Sequence, residues 1–572
     1  MQTHSSLVTL LAKRAETQPD ERAYIFLSDR GAEEAVLTFR ELHEAAQALA
    51  VQLTRITRPG DRAILVFPPG LEFMIAFFGC QIARVIAVPM MLPRRQGVRD
   101  ASAGIMANCE PSVALTNPAF SIRKDLHARF LREQIPWLSV DLTHLEPGAA
   151  DLPLPDPQDI AFLQYTSGST SDPKGVAVSH ANLLANLEMI RLSLGTTKQS
   201  TYVNWVPLYH DMGLILNALE AFYVGATCVL MAPNAFMQRP LNWLRAIHHY
   251  GAEVGCSPNF GFDLCVSRYR ADQMHDVDLS SWKIALNGAE PVHAETITRF
   301  SETFASHGFH PGAIFPAYGM AEATLLIAGG HRGAGHVTRT VSRSGLQAHA
   351  VRASLDEADI QILVGCGRAL VNERIAIVEP ESSERLAADQ VGEVWVTGPN
   401  VARSYWRNAE ATKAGLSARI AGDDDGANWL RTGDLGFLDE AGELFITGRI
   451  KDLIIIRGIN HYPQDIEHTV QSLHPALRQN CGAAFSIPDE RGEETLVVVQ
   501  EIERTERNRI DPNEITGLIR EGVTDEHELF ARHIVLIRPG TLPKTTSGKI
   551  QRGLARALWL EGRLDELDAP AG

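Results

Sequence analysis

The sequence predicts an α/β protein in two parts: a large N-terminal domain of parallel and mixed sheets flanked by helices, and a small, mobile α+β domain at the C-terminus. Three observations carry that prediction. At 572 residues the chain exceeds the roughly 250–300 residues that one hydrophobic core serves. Short β-branched runs alternate with amphipathic helical stretches over most of it: "RAILVF", "VIAVPMM", "VALT", "IAFLQYT", "TCVLM" and "KIALNG". Strands separated by helices imply parallel sheets. Near residue 430 the character changes to alternating strands with tight turns, "EVWVTGP", "GFLDEAGELFITGRI" and "DLIIIRG", the DEAGE turn reading as a hairpin. A helix from Pro463, strands "AAFSIP" and "ETLVVVQEI", another helix and "ARHIVLIRPG" complete a unit placed at 450–572, after a body of 1–449.

The elements follow in order. The start, "MQTHSSLVTLLAKRAETQPDERA", lacks the charged, apolar and small-residue zones of a secretory signal. It reads as an amphipathic helix with Leu7, Leu10 and Leu11 on one side, capped by Ser5 or Ser6. The most apolar stretch, "AILVFPPGLEFMIAFFGCQIARVIAVPMML", is interrupted by PPG, Glu72 and Arg84. It therefore reads as strand–helix–strand, not as a membrane span of about 20 uninterrupted apolar residues. Arg94, Arg95 and Arg99 read as a solvated loop, and the tail "LDELDAPAG" as frayed. No repeat of 20–50 residues is present.

Composition narrows the class. With 45% hydrophobic and 21% charged residues the chain is of the ordinary soluble type. A net charge of −16 argues against a general nucleic-acid binder or a polybasic membrane anchor. Seven scattered cysteines, Cys80, Cys109, Cys228, Cys256, Cys265, Cys366 and Cys481, never form CxxC. They read as reduced, buried thiols of a cytoplasmic protein without a zinc site.

"YTSGSTSDPKGV", 165–176, holds two glycines, a lysine and many hydroxyls. It follows the apolar "IAFLQY" and precedes the helical "HANLLANLEMIRLSL". A strand, a Gly/Ser/Thr loop and a helix make a phosphate cradle, with close backbone N–H groups and a cation to neutralise charge. The Walker A order is absent. The same composition also suits a flexible linker.

The loop resembles the signature of adenylate-forming (ANL, AMP-binding) enzymes, the superfamily of acyl-CoA synthetases, peptide-synthetase adenylation domains and luciferases. The rest of that pattern follows in order: "NWVPLYHDMGL" (204–214), "LNGAEPV" (286–292), "FPAYGMAEATL" (315–325), "GEVWVTGPNVARSYW" (392–406), "WLRTGDLGFLDEAGELFITGRIKDLIIIRGINHYPQDIE" (429–467) and "LPKTTSGKIQR" (542–552). The resemblance covers practically the whole chain and implies the ANL fold.

It also implies a reaction: a fatty-acid carboxylate attacks the α-phosphorus of ATP, giving acyl-adenylate and pyrophosphate. Two anions must meet, so charge neutralisation and in-line positioning are the protein's main tasks. By resemblance, Thr166, Ser167, Gly168, Ser169, Thr170 and Lys174 hold the β/γ-phosphates. Glu322, with Thr166, holds Mg²⁺, a hard cation that takes oxygen ligands. Gly288, Ala289 and Glu290 lie along adenine, Tyr318 stacks on it, and Gly319 and Met320 follow. Asp434 accepts from both ribose hydroxyls, Arg449 reaches ribose or phosphate, and Lys549 is the catalytic lysine. His210 lines the acyl entrance and helps position the carboxylate, so that Lys549, His210 and Glu322 form the catalytic set, whereas His248–His249 has no motif support.

Amino-acid-activating relatives need a pocket aspartate; here "EVGCSPNFGFDLCVSRY" is apolar at its start and offers small residues. Gly255, Cys256, Ser257, Pro258, Asn259, Phe260 and Gly261 are expected to face an acyl chain, and Asp263 to face away or cap a helix. "FLQYTSGST", "SPNFGFDLC" and "GRIKDLIIIRGINHYPQDIE" resemble the fatty acyl-AMP ligase branch, which hands its acyl group to an acyl carrier protein and not to coenzyme A. The stretch Ala323–Val364 is longer than acyl-CoA synthetases usually carry. Its excess, about 337–363, sits where that branch has an insertion that limits rotation of the small domain. Rotation is expected at Lys451. No carrier-domain signature follows residue 552, so a separate carrier protein is expected as partner. The alternatives are an acyl-CoA synthetase and a catalytically silent nucleotide- or acyl-binding module.

Overall fold

Parallel pairing organises the body as the alternating pattern implies. The structure, a computed structural model, describes residues 5–91, 102–121, 135–141, 152–166, 173–354, 356–424, 426–490, 492–545 and 548–567. Arg94, Arg95, Arg99, Ser167, Gly168, Ser169, Thr170 and the last residues of the tail lie outside them.

Among the described residues, a nine-stranded sheet has a parallel centre of Arg22–Leu27, Thr227–Met231, Thr201–Asn204, Val254–Ser257, Ile284–Asn287 and Ile314–Gly319, with antiparallel edges. A second sheet pairs Trp137–Ser139, Val113–Thr116, Arg62–Val66, Ile86–Met90 and Ile160–Thr166 in parallel. The helix Glu72–Ala83 lies between two of its strands and is buried nearly all round, so the apolar stretch is core. Among the described residues no helix is long and apolar enough to cross a membrane. The N-terminal helix Leu7–Thr17 is capped by Ser6, whose hydroxyl accepts from the Thr9 N–H, and buries Leu7, Leu10 and Leu11.

The phosphate-cradle expectation needs one correction. The signature stretch does not lead straight into a helix: Lys174–Ser179 forms a strand antiparallel to Ile160–Thr166, with Thr166 opposite Lys174. The helix His180–Leu194 starts only after it, capped by Ser179. "KGVAVS" buries its β-branched residues as the edge of the sheet, and helical propensity does not outweigh that. The strands that flank the signature pair with each other, and the helix that follows in the chain begins only at His180.

An antiparallel sheet of Arg374–Val378, Gly392–Thr397, Leu430–Leu438 and Leu444–Arg449 follows. A short turn, Ile450–Asp452, leads to the hairpin Ile454–Ile456/Ile459–His461 and a sheet of Leu477–Pro488, Glu494–Ile502 and Ala531–Ile537. Two hydrophobic clusters there draw on residues from Ile454 onward. Lys451 is exposed in the connecting turn.

The stretch expected as an insertion forms an antiparallel pair, Thr338–Ser342 with Ile360–Val364. Val341, Leu346 and Leu363 share one buried cluster with Val391, Leu435, Phe437 and Phe445 of the body and Tyr462 beyond the turn. Polar contacts reach the same way. Arg343 donates to the Glu526 carbonyl at 2.7 Å, Gln361 to Asp465 at 3.1 Å, and Asn460 to the Gln347 carbonyl at 2.9 Å. The segment is wedged between the two parts.

Candidate active site

The groups singled out by sequence gather at the carboxyl ends of the parallel strands, where open α/β sheets bind ligands. Ile314–Gly319 ends in Tyr318, and Ile284–Asn287 runs beside it into Gly288–Glu290, with Ala289 in the left-handed region at φ 68°. Asp434, on the strand Leu430–Leu438, is the hub. Its Oδ2 accepts from the Tyr318 hydroxyl at 2.7 Å and its Oδ1 from Arg449 Nε at 2.6 Å. Asp434 holds the guanidinium firmly cationic, and burial followed by Asp434 keeps the Tyr318 hydroxyl protonated as a donor. One carboxylate thus presents two oxygens at the mouth of the cleft, beside an aromatic face and a fixed cation.

Glu322 sits in a tight turn after Tyr318 that also holds Thr324, a non-glycine residue at φ 65°. Such backbone is held only where surrounding contacts over-determine it; here the Thr324 hydroxyl donates to the Asn400 carbonyl at 2.6 Å. The Glu322 carboxylate is buried, burial raises its pKa, and the Tyr405 hydroxyl donates to it at 2.9 Å. Lys174 places its ammonium 5.2 Å from the centre of the Tyr405 ring, a cation–π contact. Tyr405 therefore joins the signature hairpin to Glu322. Sequence reading quoted its motif, "ARSYW", without giving this residue a role; the link spans 83 positions in the chain.

These donors fit a magnesium ion. A desolvated carboxylate calls for a cation, and a hard divalent ion takes carboxylate and hydroxyl oxygens. Among the described residues no group of three or more His, Cys, Asp and Glu could hold a metal. An ion held by Glu322 would therefore not be caged by such side chains alone. Thr166 ends its strand opposite Lys174, but its side chain lies outside the described residues.

Lys549 arrives from beyond the turn. Its amide donates to Thr545 Oγ1 at 3.0 Å and its carbonyl accepts from the Thr545 amide at 2.7 Å. Gly548 takes φ +90°, and a Cβ built there would lie 3.5 Å from Phe260 of the body, so the loop is docked on the cleft. Lys549 is exposed, yet the protein around it lowers its pKa: desolvation first, then Arg449, opposed by Asp211, Asp434 and Glu290. Asp211, which sequence reading left unassigned, pairs with His210 at 2.7 Å. Burial works to raise the Asp211 pKa, but His210 and then Lys549 bring it below the ordinary value. Its place in "YHDMG" was the available signal. Across the same junction the His468 ring stacks on His293 at 5.4 Å.

The acyl-pocket segment divides. Gly255 faces Trp282 and Ile247, away from Cys256, whose thiol is beside Asn217 of the wide-turned helix Met212–Leu219. Asn259 corrects the expectation, because its side chain is spent on the scaffold. Its Oδ1 accepts from Asn287 and from the His293 amide, both at 3.2 Å, and its Nδ2 donates to Thr296 at 3.1 Å. Glu290 likewise turns its carboxylate to the Phe260 amide at 2.7 Å, and burial pushes it up to about 7. The Glu290 carboxylate, expected by resemblance to lie along adenine, is thus engaged by the scaffold. Asp263 faces Thr296 and Arg299, as expected. Phe260 and Gly261 abut Trp205, which stacks on Phe236 at 3.8 Å. A Cβ at Gly261 would meet Ser257 Oγ and come within 2.9 Å of the Trp205 ring. Gly261→Ala is expected to cost about 1–3 kcal/mol by overpacking. Denaturant titration checks this, and an unchanged midpoint would remove Gly261 from the packed wall.

Known proteins resemble the chain over nearly its whole length. The AMP-binding enzyme family matches residues 11–406, and a second family, Disco-interacting protein 2-like, AMP domain, matches 451–569. The medium-chain-fatty-acid–[acyl-carrier-protein] ligase JamA of Moorena producens is 42% identical over 99% of this chain and 97% of its own. A solved fatty acyl-adenylate ligase of L. pneumophila, in complex with acyl adenylate and pyrophosphate, is 39% identical over 99% of this chain and 98% of its own, with TM-score 0.74. A structure from work on fatty acyl-adenylate ligases of E. coli and L. pneumophila is 31% identical over 98% of both chains, with TM-score 0.88.

Proposed function

The chain belongs to the AMP-binding enzyme family, and from that premise we propose that it is a fatty acyl-AMP ligase that loads a separate acyl carrier protein. The carrying observation is the convergence of Asp434, Tyr318, Arg449, Glu322 and Lys549 on one cleft. In the first half-reaction a carboxylate oxygen of a medium- or long-chain fatty acid bonds to the α-phosphorus of ATP. The bond to the β-phosphate oxygen breaks, and pyrophosphate leaves. Asp434 accepts from the ribose hydroxyls, Tyr318 covers the purine, and Lys174 neutralises the leaving phosphates with the hydroxyls of the signature hairpin. Glu322 would hold Mg²⁺, which supplies charge neutralisation on the phosphates. Lys549 bridges the carboxylate and α-phosphate, stabilising charge that develops in the transition state. In the second half-reaction a phosphopantetheine thiol, losing its proton, attacks the acyl carbon and AMP departs.

The body is 1–449, the small domain 450–572, and Lys451 the hinge where backbone rotation exchanges Lys549 for the thiol. The wedge 337–363 supports the choice of acceptor, since its contacts with Tyr462, Asp465 and Glu526 resist the rotation that coenzyme A would need. The test supplies ATP, Mg²⁺ and dodecanoate with coenzyme A or a phosphopantetheinylated carrier. Adenylate that accumulates with coenzyme A and is consumed by carrier supports the reading. Rapid acyl-CoA overturns the acceptor, and absence of pyrophosphate overturns the activity. Freeing the wedge with Arg343→Ala plus Gln361→Ala removes three hydrogen bonds, two to Glu526 and one to Asp465, of about 0.5–1.5 kcal/mol each, so coenzyme A turnover should rise at least about tenfold. No rise would mean that restricted rotation is not what excludes that thiol.

A further inference from the structure

Hydrogen bonds among the described residues of the Lys549 loop tie its two legs to each other. Among its described residues, Thr545 and Gly548 bond within the loop, Gln551 donates to the Pro543 carbonyl at 2.9 Å, and Lys544 faces Ile550 in an isolated antiparallel bridge. These bonds would travel with the loop wherever it swung. Orientation has to come from groups that leave the loop, and Lys544 is placed to provide it. Its ammonium donates to the Asn480 carbonyl at 2.7 Å and to Cys481 Sγ at 3.2 Å.

The receiving surface is built for a cation. Pairing between Leu477–Pro488 and Glu494–Ile502 skips from Leu477 to Gly482, and Asn480, within that bulge, takes φ 56°. A bulge releases backbone groups from the ladder. The bulge itself is pinned: the Asn480 amide donates to Gln471 Oε1 at 2.5 Å, and Arg478 pairs with buried Glu501 at 2.7 Å. Glu501 also accepts from the Leu542 amide at 2.8 Å, two residues before Lys544. One leg of the loop is thus moored to an irregularity in the sheet that ordinary strand pairing would not produce.

We propose that Lys544 is a positioning residue for adenylation: it moors the Lys549 loop to the Asn480–Cys481 bulge, so that Lys549 meets the reacting anions at a fixed height. This rests on the role given to Lys549 above. Positioning errors of about 1 Å can cost two orders of magnitude in rate. Transfer of the acyl group to the thiol does not use Lys549, so the two half-reactions should respond differently.

The test compares Lys544→Met and Lys544→Arg in the full-length protein. Lys544→Met should lower kcat for pyrophosphate release about 10- to 100-fold, with KM for ATP and fatty acid within about threefold. Single-turnover transfer from supplied acyl-adenylate to the carrier should stay within about twofold. The arginine variant, which keeps a cationic donor, should recover most of the rate. In amide hydrogen exchange, Thr545, Gly548 and Lys549 should lose protection in the methionine variant, while Val497–Val499 keep theirs. Unchanged adenylation, a parallel fall of both half-reactions, or unchanged exchange in the loop would each overturn the proposal. The exchange measurement needs no turnover, so it separates failure of this mooring from failure of the proposed activity.

Discussion

Lys549→Ala should lower the rate of acyl-adenylate formation at least about a hundredfold, equivalent to about 2.7 kcal/mol of transition-state stabilisation. The variant loses a small-domain cation that feels the charges of Asp211, Asp434 and Glu290. Its KM for ATP should change little, because Asp434, Tyr318 and Arg449 remain to hold the nucleotide. Activity within about threefold of wild type would refute the catalytic role. The same lysine predicts a pH profile. Desolvation and Arg449 lower its pKa below the ordinary lysine value. The neutral form therefore appears at a lower pH than for a free lysine, and adenylation should decline correspondingly early on the alkaline side. A rate that holds up to the ordinary lysine range would show that the ammonium is not required.

Asp434→Ala is expected to act on binding. It removes the acceptor of both the Tyr318 hydroxyl and Arg449 Nε, leaving a phenol and a guanidinium unpaired at the nucleotide mouth. Loss of a charged acceptor with two partners should raise KM for ATP about 50- to 100-fold, with kcat reduced much less. Asp434→Asn keeps the shape but leaves one oxygen to accept and should fall between. Isothermal titration with ATP separates the effects. Unchanged affinity in Asp434→Ala would take the ribose contact away from this residue.

Elements whose pattern is local were legible in the sequence. Leu7, Leu10 and Leu11 with the Ser6 cap needed only helical spacing, and the stretch 62–90 needed only its punctuation by Pro, Gly, Glu72 and Arg84. Asp434 and Lys549 were singled out by motif, and the Asp434 charge acts on Lys549. The strand Lys174–Ser179 was missed because its state is decided by pairing with Ile160–Thr166, not by its own residues. Asp211 and Tyr405 went unassigned because what marks them lies far along the chain: the charge of Lys549 for Asp211, and contacts with Glu322 and Lys174 for Tyr405. Asn259 misled for the converse reason. A small polar residue in an apolar stretch suggests a pocket wall, but three partners from the neighbouring loop and helix had already engaged it.

The central claim is that a lysine of the small domain reaches the carboxylate and α-phosphate held in the body's cleft. A crystal structure with a non-hydrolysable acyl-adenylate analogue, an acyl-sulfamoyl adenosine, tests it most directly. The expected complex has the ribose on Asp434, the purine against Tyr318 and the Lys549 ammonium within hydrogen-bonding distance of the bridging group. An analogue bound elsewhere, or bound there with Lys549 turned to bulk solvent, would contradict it.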